Sequence, residues 1–230
     1  DFLNLCDSLN LSVEIGISNN LLDERNRDKI KKILDNVSYH KCVKIYTVGN
    51  EYFNSIDNII WGIDYVFSVD PNKYIMHSSI FDSGFATAKS IYLKIPSYIK
   101  SKYIVGINAY FYGNSPSEQG NVIQCVARDF YNNATLKDAY LIISEYGRND
   151  DSWEAVWNFQ WGNIECLKKY EKYLGYDHFS FANEKWKGSN NGEDKYGLLA
   201  ENGDPKNTYN AIAEFKKQSV FSQYIRQSLL

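Results

Sequence analysis

The feature that most constrains this fold is a regular alternation of short apolar segments with longer amphipathic ones. In the longer segments the apolar residues recur every three or four positions, as between Ile56 and Ile63, which is typical of a helix. The short segments are apolar almost throughout, as expected for strands that are buried on both faces of a parallel sheet. Six such strands are predicted, at residues 11–17, 41–48, 73–79, 103–112, 138–147 and 178–184.

Six strand–helix units in tandem predict an α/β fold with a parallel sheet. A doubly wound sheet is one possibility, but the glycine signature that binds phosphates is absent after the first strand. A (β/α)8 TIM barrel is the other possibility, and it has eight units rather than six. The chain opens with DFLNLCDSLN, which resembles the middle of a helix, and no Pro-, Gly- or Ser-rich linker divides it. We therefore predict a single domain, residues 1–230, that is a TIM barrel lacking its N-terminal units.

Two carboxylates stand where predicted strands end. Glu51 follows the strand 41–48 in the segment VGNE, and Glu145 lies in the segment ISEYG. In a barrel, catalytic groups sit at the carboxyl ends of the strands. Two facing carboxylates can cleave a glycosidic bond, one protonating the leaving oxygen while the other attacks the anomeric carbon or activates water. The acid must stay protonated near neutral pH, and an ionised neighbour raises its pKa.

Composition excludes some classes of partner and leaves others open. The net charge is −3 and no basic run is present, so binding to nucleic acid through charge is not expected. No stretch of 18 apolar residues suggests a membrane span. Aromatic residues make up 16% of the chain, a content that suits sugar stacking and a tyrosine-rich core alike.

Neither a metal site nor an organic cofactor is predicted from the sequence. Metal sites need closely spaced ligands, and the candidate cysteines and histidines are scattered along the chain. These residues are Cys6, Cys42, Cys125, Cys166, His40, His77 and His178.

Five segments resemble, in order, those of glycoside hydrolase family 17, the β-1,3-glucanases and related transglycosylases. VGNE (48–51) resembles the family's acid/base strand, and ISEYG (143–147) its nucleophile strand. INAYFY (107–112) is similar to the segment of its sixth strand. FSFANEKWKG (179–188) and KYGLLAENGDPK (195–206) are similar to the segments that end its fold. The match runs from about residue 11 to residue 206, without a counterpart of the family's first two strands.

The resemblance implies a role for each matched residue. Glu51 would be the general acid/base and Glu145 the nucleophile, while Asn50 would contact a sugar 2-hydroxyl. The other implied substrate-binding residues are Asn108, Tyr110, Tyr112, Glu184, Trp186 and Lys187. The implied enzyme is a retaining glycoside hydrolase or transglycosylase of the glucan 1,3-β-glucosidase or endo-1,3-β-glucanase type. It would act on a polysaccharide or oligosaccharide and would be secreted or associated with a cell wall.

Four positions depart from the family pattern and keep a second hypothesis open. Arg148 replaces a tryptophan after the nucleophile segment, and Phe111 replaces a proline. Ser180 and Asn183 replace acidic residues. The chain could therefore be a carbohydrate-binding relic of the barrel that has lost efficient catalysis. A structural α/β domain with coincidental motifs is the third alternative.

One further stripe of large residues follows the second carboxylate. Trp153, Trp157 and Trp161 recur at helical spacing, together with Ile164 and Leu167. Such a stripe predicts a helix whose tryptophans pack in the core.

Overall fold

The computed structural model describes residues 1–51, 55–111, 113–187 and 192–217. The described part contains six strands, which follow the order of the chain in one sheet. They are β1 (Val13–Ile17), β2 (Val43–Asn50), β3 (Tyr74–Ile80), β4 (Tyr103–Asn108), β5 (Tyr140–Tyr146) and β6 (Tyr173–His178). The pairs β1–β2 and β2–β3 are parallel, with Ile17 opposite Val48 and Asn50 opposite Ser78. The predicted α/β class is confirmed, while the prediction that the six units belong to an eight-stranded barrel lacking its N-terminal units stays a prediction.

Helices connect the strands, as the amphipathic segments predict. The α-helices of the described residues are α1 (Phe2–Ser8), α2 (Arg27–Val37), α3 (Ile56–Val69), α4 (Ala86–Lys94), α5 (Gln119–Tyr131), α6 (Trp153–Lys169) and α7 (Asn207–Lys217). Side chains fix two of their starts, because the hydroxyls of Ser55 and Ser152 accept from backbone N–H groups one turn on. Helix α4 ends just before Ile95–Pro96, where the residue preceding a proline is driven out of the helical conformation. None of the helices in these ranges is long and apolar enough to cross a membrane.

The residues pack as two compact units. The first comprises Asp1–Ile107 and Asn133–Leu141, and its core joins strands β1–β3 to the helices that follow them. Ile30 and Leu34 bury one face of α2, and Ile59 and Ile63 bury one face of α3. The sheet contributes buried apolar residues such as Tyr46, whose hydroxyl donates to the buried Asp70 carboxylate at 3.0 Å.

The second unit comprises Asn108–Asn132 and the described residues from Ile142 onward. Its core centres on Tyr146 of β5, whose ring stacks on Phe159 of α6 with centroids 3.6 Å apart. Helices α5 and α6 cross at Gly120 and Gly162, where a Cβ on either residue would overlap backbone atoms of the other helix. Only glycine permits this close approach, so these two residues fix how the helix pair lies.

The last strand lies earlier in the chain than predicted. The sequence favoured residues 178–184, whereas β6 is Tyr173–His178. Gly175, at φ +109°, and the acidic Asp177 weakened the strand signal of the true segment. The apolar run after it forms irregular backbone instead, where Ser180 and Asn183 donate their N–H groups to the carbonyls of Tyr196 and Leu199. Glu184 is therefore in a connecting segment and not at the end of a strand.

The prediction that the tryptophan stripe lies in the core is wrong for two of its members. Helix α6 forms as expected, but Trp153 and Trp161 are 37% and 36% exposed. Phe215 of α7 packs against the rings of Trp157 and Trp161 at 5.0 and 5.1 Å. The core face of α6 lies to one side of the three tryptophans, and its buried residues are Ala155, Val156, Phe159, Gln160, Gly162, Asn163, Ile164 and Cys166.

Candidate functional site

The backbone at the end of β2 takes an unusual path before Glu51. Gly49 has φ +74° and Glu51 has φ +52°, so both lie in the left-handed region. A Cβ on Gly49 would meet the Asn19 Oδ1 at 2.8 Å and the Leu22 Cδ1 at 2.9 Å. A non-glycine residue such as Glu51 adopts this conformation at a cost of about 1–2 kcal/mol, which neighbouring contacts must offset.

Two of these contacts come from neighbouring segments of the same unit. The Asn19 side chain pairs with the backbone of Asn50, donating from Nδ2 to its carbonyl at 2.7 Å and accepting from its N–H at 2.8 Å. The N–H of Glu51 donates to the carbonyl of Ser78 in β3 at 2.9 Å. These bonds hold the main chain at Glu51, a half-buried residue. Sequence reasoning missed Asn19, which lies in no recognised motif.

A buried histidine lies beside this strand end. His77 Nδ1 donates to the carbonyl of Val48 at 2.8 Å, and its Nε2 has no partner among the described residues. Burial lowers the pKa of His77 to about 4, although the carbonyl opposes that shift. The ring is therefore neutral at neutral pH, with its proton on the nitrogen that faces Val48.

The end of β5 positions its carboxylate with side chains. Glu145 lies in the regular part of the strand, and its Oε2 accepts a hydrogen bond from the hydroxyl of Tyr110. The backbone carbonyl of Glu145 accepts from the N–H of Ala109 at 2.9 Å. One residue before, the Ser144 hydroxyl donates to the Oδ1 of the buried Asn108 at 2.7 Å. Asn108 and Tyr110 thus fix the end of β5 through adjacent contacts.

Aromatic rings surround Tyr110. Its ring meets Phe179 edge-on at 6.3 Å and Tyr196 at 5.8 Å, and these two rings are 5.9 Å apart. The N–H of Phe179 donates to the carbonyl of Tyr146, the residue after Glu145. A Cβ at Gly147 would overlap the Phe179 carbonyl, so only glycine lets this segment approach. Phe179 and Tyr196 were not predicted individually, although both lie in segments that carry the family resemblance.

Lys187 and its neighbours adjoin this group of rings. Its ammonium lies 3.9 Å from the centroid of the Phe179 ring and 5.3 Å from that of Trp186. It also pairs with Glu184 at 2.8 Å. The Trp186 side chain is 78% exposed, so it packs in no core and presents its indole to solvent.

The four departures from the family pattern occupy defined places. Arg148 is buried and pairs with Asp150 through both Nε, at 2.9 Å, and a terminal nitrogen. This guanidinium lowers the pKa of Asp150. Asn183 Oδ1 accepts from the N–H of Gly197 at 3.1 Å, and the Ser180 hydroxyl donates to the Ala182 carbonyl. Phe111 is buried.

The predicted site residues fall into two groups, one in each unit. Asn50 and Glu51 lie at the end of β2. Contacts in the second unit link Asn108, Tyr110 and Glu145 to the aromatic rings, and these rings to Glu184, Trp186 and Lys187. Tyr112 lies outside the described residues.

In the part of the chain that the structure describes, no predicted site residue belongs to a possible metal-ligand group. Within the described ranges, three or more ligand atoms from His, Cys, Asp or Glu come within 4.8 Å of one another in one place, at Asp7, His40 and Cys42. Cys42 directly precedes β2, so this group lies at the opposite end of that strand from Glu51.

Comparison with known proteins relates the fold to enzymes that act on carbohydrates. The sequence matches no protein-family model and no curated protein. A GH2 β-galacturonidase from Eisenbergiella tayi superposes with a TM-score of 0.70 and 16% identity, over 95% of this chain and 42% of that one. A β-glucuronidase from Bacteroides uniformis gives 0.63 and 15%, over 94% and 29%. A psychrophilic family 10 endo-β-1,4-xylanase gives 0.58 and 18%, over 92% and 79%.

At these identities the likeness concerns the fold. The chain spans less than half of the length of the galacturonidase and of the glucuronidase, and most of the length of the xylanase. The galacturonidase is a GH2 enzyme and the xylanase a family 10 enzyme, so the resemblance to family 17 stays a prediction. The chain therefore has a TIM-barrel-like α/β fold that known glycoside hydrolases share.

Proposed function

We propose that this chain is a retaining glycoside hydrolase or transglycosylase that acts on a β-1,3-linked glucan. The observation that carries the proposal is the environment of Glu145, a strand-end carboxylate that accepts from the Tyr110 hydroxyl beside a group of aromatic rings. A fold shared with several glycoside hydrolases adds support. Glu51, at the end of β2, is the proposed second carboxylate.

The proposed reaction has two steps. Glu145 attacks the anomeric carbon, the bond to the leaving oxygen breaks, and Glu51 donates its proton to that oxygen. The resulting ester joins the sugar to Glu145. Glu51, now ionised, takes a proton from water or from an acceptor hydroxyl, whose oxygen then displaces Glu145 from the anomeric carbon. Water as the acceptor gives hydrolysis, and a sugar hydroxyl gives transglycosylation.

Tyr110 supports the nucleophile role of Glu145. A hydroxyl that donates to a carboxylate favours its ionised form, and only the ionised form attacks carbon. The same hydrogen bond restricts the rotation of the carboxyl group and so holds it in one orientation. Asn50, adjacent to Glu51, is proposed to bond the sugar 2-hydroxyl, a contact that strengthens in the transition state.

The proposed substrate class rests on the residues that match the family segments. Trp186 exposes an indole that can stack on a sugar ring, and Lys187 and Glu184 lie beside it. Asn108 is proposed to support the floor of the substrate site, because it is buried and bonded to Ser144. The assignment to family 17, and to the glucan 1,3-β-glucosidase or endo-1,3-β-glucanase type, belongs to this proposal.

The test is turnover of β-1,3-gluco-oligosaccharides by the protein and by Glu145→Gln. We expect the variant to lose turnover while still binding the oligosaccharide, because the amide cannot attack carbon. Glu165→Gln is the matched control, since Glu165 is an exposed carboxylate that pairs with Lys168 on α6. NMR of the first product should show the β anomer. Turnover that survives in Glu145→Gln would refute the nucleophile assignment.

Azide separates the roles of the two carboxylates. With an activated aryl β-glucoside, Glu145→Ala should be rescued by azide and give the α-glucosyl azide, because azide attacks the substrate directly. Glu51→Ala should give the β-glucosyl azide, because azide attacks the glycosyl–enzyme. The opposite pairing of variants and anomers would exchange the two roles.

A second candidate function is sugar binding without efficient catalysis. Arg148, where the family has tryptophan, is buried and paired with Asp150, which alters one wall of the proposed sugar site. Saturable binding of the oligosaccharide with no product from the unmodified protein would favour this candidate. In that case Glu145→Gln would change neither observation.

A further inference from the structure

Folding brings together three side chains that are scattered in the sequence. Asp7 lies in the last turn of α1, His40 in the turn after α2, and Cys42 directly before β2. Asp7 Oδ2 is 2.7 Å from His40 Nδ1, and Asp7 Oδ1 accepts from the N–H of Cys42 at 2.6 Å. The ligand atoms of the three residues, a carboxylate oxygen, an imidazole nitrogen and a sulfur, all lie within 4.8 Å of one another.

The three groups differ in their access to solvent. The His40 and Cys42 side chains are buried, whereas that of Asp7 is 28% exposed. A small cation could thus reach the two buried ligands past the Asp7 carboxylate. The Cys42 sulfur now lies 3.5 Å from the Leu3 carbonyl, a weak contact that its rotation would release.

The donor set indicates which cations fit. Zinc binds thiolate, imidazole and carboxylate at about 2.0–2.3 Å, so two ligands on one tetrahedral ion lie about 3.5 Å apart. The atoms in this cluster need small shifts to reach that spacing. Magnesium and calcium prefer oxygen ligands, and a thiolate disfavours both. Burial, the Asp7 carboxylate and Cys6 raise the pKa of the Cys42 thiol, so a bound metal must displace its proton.

We propose that Asp7, His40 and Cys42 form a binding site for one zinc-class divalent cation. The bound ion joins the end of α1 to the start of β2. The site is separate from the proposed catalytic residues, since β2, a strand of eight residues that spans about 25 Å, lies between Cys42 and Glu51. Its role is structural, and it does not depend on the proposed function.

The test uses Co²⁺ as a spectroscopic probe on the chelator-treated protein. We expect the charge-transfer absorption of a cobalt–thiolate bond to saturate at one equivalent and to disappear when Zn²⁺ is added. Cys42→Ser should remove that absorption and weaken Zn²⁺ binding at least about 100-fold, since changes outside the ligand shell alone cost about 10–100-fold. Cys125→Ser, which changes an exposed cysteine on α5, is the matched control and should leave both unchanged.

A second measurement does not depend on the folding of the variant. Zn²⁺ should raise the Tm of the unmodified protein in a concentration-dependent way, because it binds the folded state. The proposal is overturned if one equivalent of Co²⁺ gives no thiolate absorption in the unmodified protein. It is also overturned if Cys125→Ser, and not Cys42→Ser, removes the absorption.

Discussion

The two strand ends that carry the proposed carboxylates are built in opposite ways. At the end of β2 the main chain turns into the left-handed region at Gly49 and Glu51, and the Asn19 side chain bonds the intervening backbone. At the end of β5 the strand is regular, and the Tyr110 side chain bonds the carboxylate itself. The bonds described at the end of β2 thus act on the backbone around Glu51, whereas the Tyr110 bond acts on the carboxylate of Glu145 itself.

The difference indicates how each site tolerates change. Positioning through the backbone is lost when a substitution alters the allowed φ or the space for a Cβ, and the stability of the fold falls at the same time. Positioning through a side chain can be lost with one hydrogen bond while the strand stays intact. Substitutions at β2 should therefore change stability and activity together, whereas substitutions around Glu145 should separate them.

The largest effect is expected from Gly49→Ala. The new Cβ would lie within 3 Å of Asn19 and Leu22, in a residue with φ +74°. Strain and overpacking together should lower the free energy of unfolding by about 2–4 kcal/mol, and glucan turnover should fall as Glu51 moves. Urea unfolding and turnover measure both. Gly16→Ala, on β1 with open space around its Cβ, is the control. Equal losses of stability and turnover in the two variants would contradict the role given to the backbone at Gly49.

Tyr110→Phe should change activity with little change in stability. It removes one hydrogen bond to the Glu145 carboxylate and leaves the ring contacts with Phe179 and Tyr196. A hydrogen bond to a charged group contributes about 1.5–3 kcal/mol, so kcat/KM should fall by about 10–150-fold. Tyr209→Phe on α7 is the control. A fall in Tm without a change in kcat/KM would mean that Tyr110 serves packing alone.

Acid should destabilise both units through one histidine in each, the buried His77 and the half-buried His178. Burial lowers the pKa of His77 to about 4, and burial together with the Lys206 charge lowers that of His178 to about 4. Because both folded-state values lie below the unfolded value of 6.5, the stabilisation is present above pH 6.5 and is lost as pH falls toward 4. Each histidine contributes a slope of up to about 1.4 kcal/mol per pH unit.

Urea unfolding between pH 7.5 and pH 4.5 measures this loss. His77→Gln and His178→Gln should each make the acid limb shallower, because glutamine does not titrate. Parallel acid limbs in the variants and the unmodified protein would show that other groups cause the acid sensitivity.

The smallest effect is expected from Asn19→Ala. Asn50 is exposed, so water can replace both lost hydrogen bonds, and the free energy of unfolding should fall by about 1 kcal/mol. The greater freedom of the backbone before Glu51 should still lower kcat, while the KM changes less. Asn20→Ala, at the exposed neighbouring residue, should leave kcat unchanged. An equal effect at both positions would show that Asn19 does not position the backbone before Glu51.

Strand periodicity predicted most of the fold. Five of the six strands and helix α3 lie where apolar runs and helical spacing put them. The failures have a local cause. β6 contains a glycine and an acidic residue, and the stripe of tryptophans on α6 is adjacent to the core face and not on it. Hydrophobic spacing does not reveal a strand whose pattern is weak. It also does not show which of two adjacent faces of a helix is buried.

The candidate site was predictable in part. Motifs pointed to Glu51 and Glu145 because both stand at predicted strand ends, in segments that resemble those of a known family. The supporting residues Asn19 and His77 carry no such pattern, since their importance comes from hydrogen bonds across the fold. The cluster of Asp7, His40 and Cys42 was missed for the same reason, because 33 residues separate the first two.

The glycine crossing of α5 and α6 has a consequence for amide exchange. Where two helices touch backbone to backbone at Gly120 and Gly162, neither can slide without lifting from the other. Amide protons on both helices near the crossing should then exchange with deuterium through one shared opening, at one common rate of access. The two helices should therefore open as a single unit.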